Sequence, residues 1–144
     1  MTKQARGFVL LEALVALLIF SLGVLGMVGF QAASTKIATD SRFRAEAALL
    51  ADELMAKMAT SDLSKVRSDY AQGGAKFKAW YKDRVLGGSY LPNATVTIDW
   101  SPPSYTSQTL VAVLTIEWTN PGVVDKNAKA SEVKGSYTTT AMLF

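Results

Sequence analysis

A continuous apolar segment near the N-terminus constrains this chain more than any other feature. Residues 8–30, FVLLEALVALLIFSLGVLGMVGF, contain a single charged side chain, Glu12, and the next charge along the chain is Lys36. As an α-helix, the segment is about 34 Å long, which is enough to cross the hydrocarbon core of a bilayer. We therefore expect one membrane-spanning helix at the start of the chain.

The residues before this segment predict its orientation. Residues 1–7 carry Lys3 and Arg6 and no acidic side chain. Positive charge before the first span predicts a cytoplasmic N-terminus, with the rest of the chain across the membrane. The alternative is a removed secretory signal, with a weak cleavage site at Ala32 and Ala33. The apolar core of a signal peptide is about 7–15 residues long, and this apolar segment is longer, which favours a retained helix.

Composition limits the chemistry that the chain can perform. It has neither histidine nor cysteine, which excludes His-based triads, Cys nucleophiles, thiolate or imidazole zinc sites and disulfides. No phosphate-binding loop is present, so we predict no enzymatic activity, no cofactor and no metal. The formal charge is +3, of which Lys3 and Arg6 supply two. This small net positive charge does not favour nucleic acid as a partner.

Glu12 is the residue that a simple membrane span does not explain. A carboxylate inside a hydrophobic helix costs a few kcal/mol at the membrane centre and less near its boundary. One interpretation is an interfacial Glu with no function. In the other, cleavage after Gly7 gives Phe8 a free ammonium group one helical turn from Glu12, in the same chain or in a neighbour. That cleavage would create a charge partner for the carboxylate.

A short basic leader that ends in Gly7, followed by Phe8 and by Glu12 in a long apolar helix, resembles the class III signal of type IV prepilins and pseudopilins. The segments RAEA at 44–47 and LADEL at 50–54 make the chain most similar to PilV-type minor pilins. The resemblance implies that a prepilin peptidase cuts after Gly7 and methylates the amino group of Phe8. It also implies that Glu12 docks the subunit into the growing filament.

The same resemblance implies a function and a location. The expected function is that of a minor pilin, which inserts into or primes a type IV pilus. The alternatives are a minor pseudopilin of a type II secretion system and, more weakly, a DNA-uptake pilin. The implied partners are prepilin peptidase, other pilins, the inner-membrane assembly platform and the lipid bilayer. The subunit would lie in the inner membrane with a periplasmic head, and on the cell surface in a pilus after assembly. Without cysteine, the disulfide that is usual in this family is absent.

The helix is expected to continue beyond the membrane. Apolar residues recur at steps of three and four, which is one helical stripe, and no Pro or Gly interrupts residues 31–65. The stripe consists of Phe43, Ala47, Leu50, Leu54 and Met58. We predict a single helix over about residues 9–59, with an amphipathic second half that packs on a sheet of the same chain.

The C-terminal part supplies that sheet. Alternating segments at 94–100 and 110–118 and a Thr-rich segment at 133–144 predict three or four antiparallel strands, with Gly135 at a possible bulge. The predicted fold class is α+β, a long helix packed on a small antiparallel sheet. Its parts are a leader (1–7), a span (8–30) and a head (31–144). The head comprises the amphipathic helix to about 60, a connecting region (61–93) with a short helix at 77–86, and the sheet (94–144).

Two clusters in the head suggest binding sites, and each has a simpler explanation. Residues 76–84 combine Lys and Arg with Trp80 and Tyr81, as a DNA-binding patch would, but packed aromatics on a solvated helix are favoured. Asp99, Trp100, Glu117 and Trp118 resemble the paired carboxylates and aromatic platforms of a carbohydrate site. Packing of the two Trp side chains across neighbouring strands is favoured there.

Overall fold

The computed structural model describes residues 5–101, 109–120 and 134–144. Its first element is α1, Ala5–Ala59, a helix of 55 residues. Within the described residues, this is the one helix long and apolar enough to cross a membrane. The second half of α1 contains neither Pro nor Gly, which predicts a continuous helix. The backbone is helical without a break to Ala59, as predicted.

The chain divides into two compact units, Met1–Thr39 and Asp40–Phe144. The second unit contains the end of α1, two short helices and three strands: α2 (Leu63–Tyr70), α3 (Ala75–Trp80), β1 (Thr95–Ser101), β2 (Leu110–Thr119) and β3 (Lys134–Leu143). The strands form an antiparallel sheet in the order β1-β2-β3. The predicted α+β class is confirmed, with three strands in the described part of the chain.

The core of the second unit lies between α1 and one face of the sheet. All five residues of the predicted stripe are buried, and Leu54 is fully buried. Every second residue of β2 is buried, as the period-2 geometry of a strand requires when one face is covered. The inner face of the sheet contributes Val96, Ile98, Leu110, Ala112, Leu114, Ile116 and Trp118 to the same cluster. Burial of this apolar stripe against this apolar face is what holds the helix on the sheet.

The connecting region is more helical than expected. Helix α2 was not predicted; it begins after Asp62, whose carboxylate accepts a hydrogen bond from the backbone N–H of Ser64, an N-cap. The predicted helix at 77–86 is α3 followed directly by a π-helical segment, Tyr81–Leu86. Trp80 and Val85 are both buried, and five residues of regular α-helix would point their side chains about 140° apart. The wider turn brings both into the core.

Two expectations about the sheet are wrong. Trp100 lies opposite Ala112 and Trp118 opposite Gly135. The two indoles are therefore separated by six residues along the strands, or about 20 Å, and do not pack on each other. Gly135 is not at a bulge, because the β2–β3 register continues through it. Pro102 and Pro103, which lie between the first two strand segments, and Val133, where the third segment was expected to begin, lie outside the described residues.

Candidate membrane-spanning and assembly segment

From Phe8 to Ala38, the helix of the N-terminal unit carries its apolar side chains on an exposed surface. Every side chain from Phe8 to Ala38 is exposed, including Phe8 at 72% and Phe30 at 73%. The apolar residues lie on all sides of the helix rather than on one face. A helix that is hydrophobic all round requires an apolar environment, which is either a bilayer or a bundle of other helices.

Glu12 is the single charged residue from Phe8 to Thr35 of this exposed helix. It lies in regular helix four residues after Phe8, so their Cα atoms are about 6 Å apart along the axis and on neighbouring parts of the surface. Phe8, Leu11, Glu12, Val15 and Ile19 line one shallow depression on that surface. Within the described residues, the Glu12 carboxylate has no ion-pair partner. Placed in lipid, it would need one from outside the chain or from a new N-terminus.

The Gly7–Phe8 peptide bond lies close to the start of α1, which begins at Ala5. The backbone of Arg6 lies in the first described turn of α1, whereas Lys3 lies outside the described residues.

Three glycines occur in the middle of the apolar helix without breaking it. Apart from the adjacent backbone of its own helix, a methyl group added at Gly23, Gly26 or Gly29 would meet no atom of the described residues within 4 Å. Within the described part of the chain, the missing side chains therefore make room for no packing contact. Small residues let the backbones of two membrane helices approach closely, so this stretch offers room for a neighbouring helix.

The aromatic residues of the 76–84 cluster do not form a surface for stacking bases. Trp80 is 5% exposed. The Tyr81 ring stacks on Phe77 at 5.9 Å, and its hydroxyl donates a 2.8 Å hydrogen bond to the Ala94 carbonyl. The favoured interpretation, that these aromatics are packed, is confirmed. Two of the nearby cations are paired: Arg84 with Glu53 at 2.7 Å, and Lys76 with Asp69 at 2.9 Å. The hydrogen bond to Asp69 raises the pKa of Lys76.

The carboxylates of the possible carbohydrate site are also apart. Glu117 is the register partner of Thr95, four residues from Asp99, so their Cα atoms are separated by about 13 Å along the sheet. Glycosidase carboxyl groups lie about 5–9.5 Å apart. In the described ranges, no three acidic side chains come together as a metal site.

The chain was compared with models of known families, with curated protein sequences and with solved structures, and no match was found in any of the three. The resemblance to prepilins therefore depends on the residues themselves. The segment at 8–38, with Glu12 near its start, remains the strongest functional feature of the described chain.

Proposed function

We propose that this chain is a minor pilin, an assembly subunit of a type IV pilus, made as a prepilin and cut after Gly7. Lys3 and Arg6 keep the leader in the cytoplasm, the helix from Phe8 holds the subunit in the inner membrane, and the head lies in the periplasm. Its partners are prepilin peptidase, the assembly platform and other pilins. Residues 8–30 leave the bilayer by exchanging lipid contacts for contacts with neighbouring helices.

The observation that carries this proposal is the exposure of the apolar helix together with Glu12. An anchor needs only lipid contacts, and a carboxylate makes such an anchor less favourable. A filament subunit must move its apolar helix from lipid into contact with neighbouring helices, and it needs an interaction that fixes its position beside them. Cleavage after Gly7 supplies that interaction, because the new ammonium group of Phe8 can pair with Glu12 of a neighbouring subunit. The attraction is strong because both charges are then held in a medium of low dielectric constant.

The function can be tested by substituting Glu12 and measuring the protein in sheared filaments against the protein left in the membrane. Glu12→Ala and Glu12→Leu should insert and be cut after Gly7 normally but reach filaments poorly. Glu12→Asp, which keeps the charge with a shorter reach, should fall between them and the unaltered chain. The double variant Glu12→Ala with Ala16→Glu restores a carboxylate one turn deeper and should not rescue incorporation. Incorporation of Glu12→Ala at the level of the unaltered chain would contradict the docking role.

The same N-terminal segment would serve a pseudopilin, so the host phenotype has to separate the two systems. Deleting the gene should reduce the number of surface pili and leave protein secretion unchanged. Normal piliation with impaired secretion would instead identify the type II secretion alternative. Neither result would change the expected processing at Gly7, which is common to both systems.

A further inference from the structure

A series of side-chain hydrogen bonds connects the end of β2 to α1 at the start of the second compact unit, and one of them crosses from sheet to helix. The indole N–H of Trp118 donates to Asn120 Oδ1 at 3.0 Å, and Asn120 Nδ2 donates to Asp40 Oδ1 at 3.3 Å. Arg44 Nε donates to the other Asp40 oxygen at 3.0 Å. We call the Trp118–Asn120–Asp40 series the Asn120 link.

The direction of these hydrogen bonds is fixed by chemistry. An indole nitrogen can only donate and an ionised carboxylate can only accept, so the amide between them must turn its oxygen to Trp118 and its nitrogen to Asp40. Trp118 is 1% exposed, and a buried N–H without an acceptor would be costly. Asn120 therefore satisfies a core donor and uses its remaining donors to hold the helix.

The link lies at the boundary between two differently supported parts of α1. Side chains from Phe8 to Ala38 are exposed, and the first buried residue of the helix is Phe43. In the part of the chain that the structure describes, Asp40 is the most N-terminal α1 side chain hydrogen-bonded to the rest of the head. The division into compact units also falls between Thr39 and Asp40.

We propose that the Asn120 link limits how far the loss of backbone hydrogen bonds in α1 can spread from its N-terminal part into the head. We call this limit the stop. On the N-terminal side, the helix keeps only its own hydrogen bonds once lipid or neighbouring helices are removed, and helices without tertiary contacts are marginal in water. On the C-terminal side, the link and the buried stripe keep it closed. The role of this stop in assembly rests on the proposed function: it lets the membrane segment change environment while the head stays folded.

Hydrogen exchange of the full chain in detergent micelles tests the stop. In the unaltered chain, detergent covers the apolar span at 8–30, so the comparison is with residues 31–38, which are exposed and lie beyond that span; protection should be lower there and should rise at Asp40. In Asp40→Ala, which leaves the Trp118–Asn120 bond intact, amides 41–47 should exchange about tenfold faster, the size expected for losing a hydrogen bond to a charged group. Asn120→Ala should accelerate exchange of the same amides. The matched control is Arg44→Ala, which removes the ion pair but keeps the link and should leave exchange unchanged.

Two results at amides 41–47 would overturn the proposal. One is equal exchange of amides 41–47 in the unaltered chain and in Asp40→Ala, and the other is an equal acceleration in Arg44→Ala. Acceleration spread evenly over the strands in Asp40→Ala would also contradict it, since the effect would then be general destabilisation. Exchange in micelles requires no filaments, so failure of this test is separate from failure of the proposed function.

Discussion

Gly135 lies directly against the indole ring of Trp118, its register partner across β2 and β3. A Cβ atom at Gly135 would overlap the ring atoms Cε2, Nε1 and Cζ2. The ring itself is held in place because it is 1% exposed and its N–H is bonded to Asn120. The absence of a side chain at Gly135 is therefore what allows Trp118 to lie flat over β3.

This contact predicts that Gly135→Ala destabilises the head by about 1–3 kcal/mol, the usual cost of overpacking a core. The measurement is denaturant unfolding followed by Trp fluorescence. Ser136→Ala, at the next position of β3 with an exposed side chain, is the control and should change the free energy of unfolding by less than about 0.5 kcal/mol. Equal effects of the two variants would show that Trp118 can move away.

The head should fold without the membrane segment. A chain that lacks residues 1–31 keeps the whole stripe on α1 and all three strands, and should unfold cooperatively in water. Leu54→Asp should abolish this folding, because an unpaired carboxylate in the core costs several kcal/mol against a total stability of about 5–15 kcal/mol. Leu49→Asp is the matched control, since Leu49 lies on the same helix but is 69% exposed, and it should fold normally. Cooperative melting of Leu54→Asp would contradict the observed core.

The acid stability of α2 should depend on its N-cap. Hydrogen bonds from the Ser64 hydroxyl and then from the Ser64 backbone N–H hold the pKa of Asp62 below its ordinary value of 3.8. A carboxyl with a lowered pKa in the folded state stabilises it above the ordinary pKa, and that contribution is lost as the pH falls through the lowered value. Asp62→Asn keeps a cap that does not titrate, so α2 should lose less stability between pH 7 and pH 3.

Ser64→Ala tests the cause of that shift. It removes the largest contribution, and the pKa of Asp62 in a carbon-detected NMR titration should rise toward 3.8. Ser61→Ala is the control, because the Ser61 hydroxyl donates to the Lys57 carbonyl instead. An unchanged pKa of Asp62 in Ser64→Ala would show that the backbone N–H alone sets it.

The elements that could be predicted are those whose signal is local and periodic. The stripe from Phe43 to Met58 identified the buried face of α1, and alternation identified β1 and β2, because each pattern repeats the geometry of its own element. Helix α2 was missed because eight residues with only Val66 and Tyr70 buried give too short a pattern. Its one readable signal was Asp62 as an N-cap.

What could not be predicted depends on register and on contacts between distant residues. Alternation assigns Trp100 and Trp118 to strands but does not fix which residues lie opposite each other, and the register separates them. The Asn120–Asp40 hydrogen bond joins residues 80 positions apart. Neither the helical periodicity around Asp40 nor the strand alternation before Asn120 indicates it. For the candidate site, Phe8 and Glu12 are one helical turn apart as expected, because that relationship is local to one helix.

Processing at Gly7 is the central claim, and the mass of the mature N-terminal peptide tests it most directly. In a host with an active prepilin peptidase, the mature chain should begin at Phe8 with one methyl group on its amino nitrogen. Gly7→Leu should retain the leader, since a close-fitting peptidase subsite does not admit a large side chain. A mature chain that keeps Met1, or one that begins near Ser34 after cleavage at Ala32 and Ala33, would contradict the assignment as a prepilin.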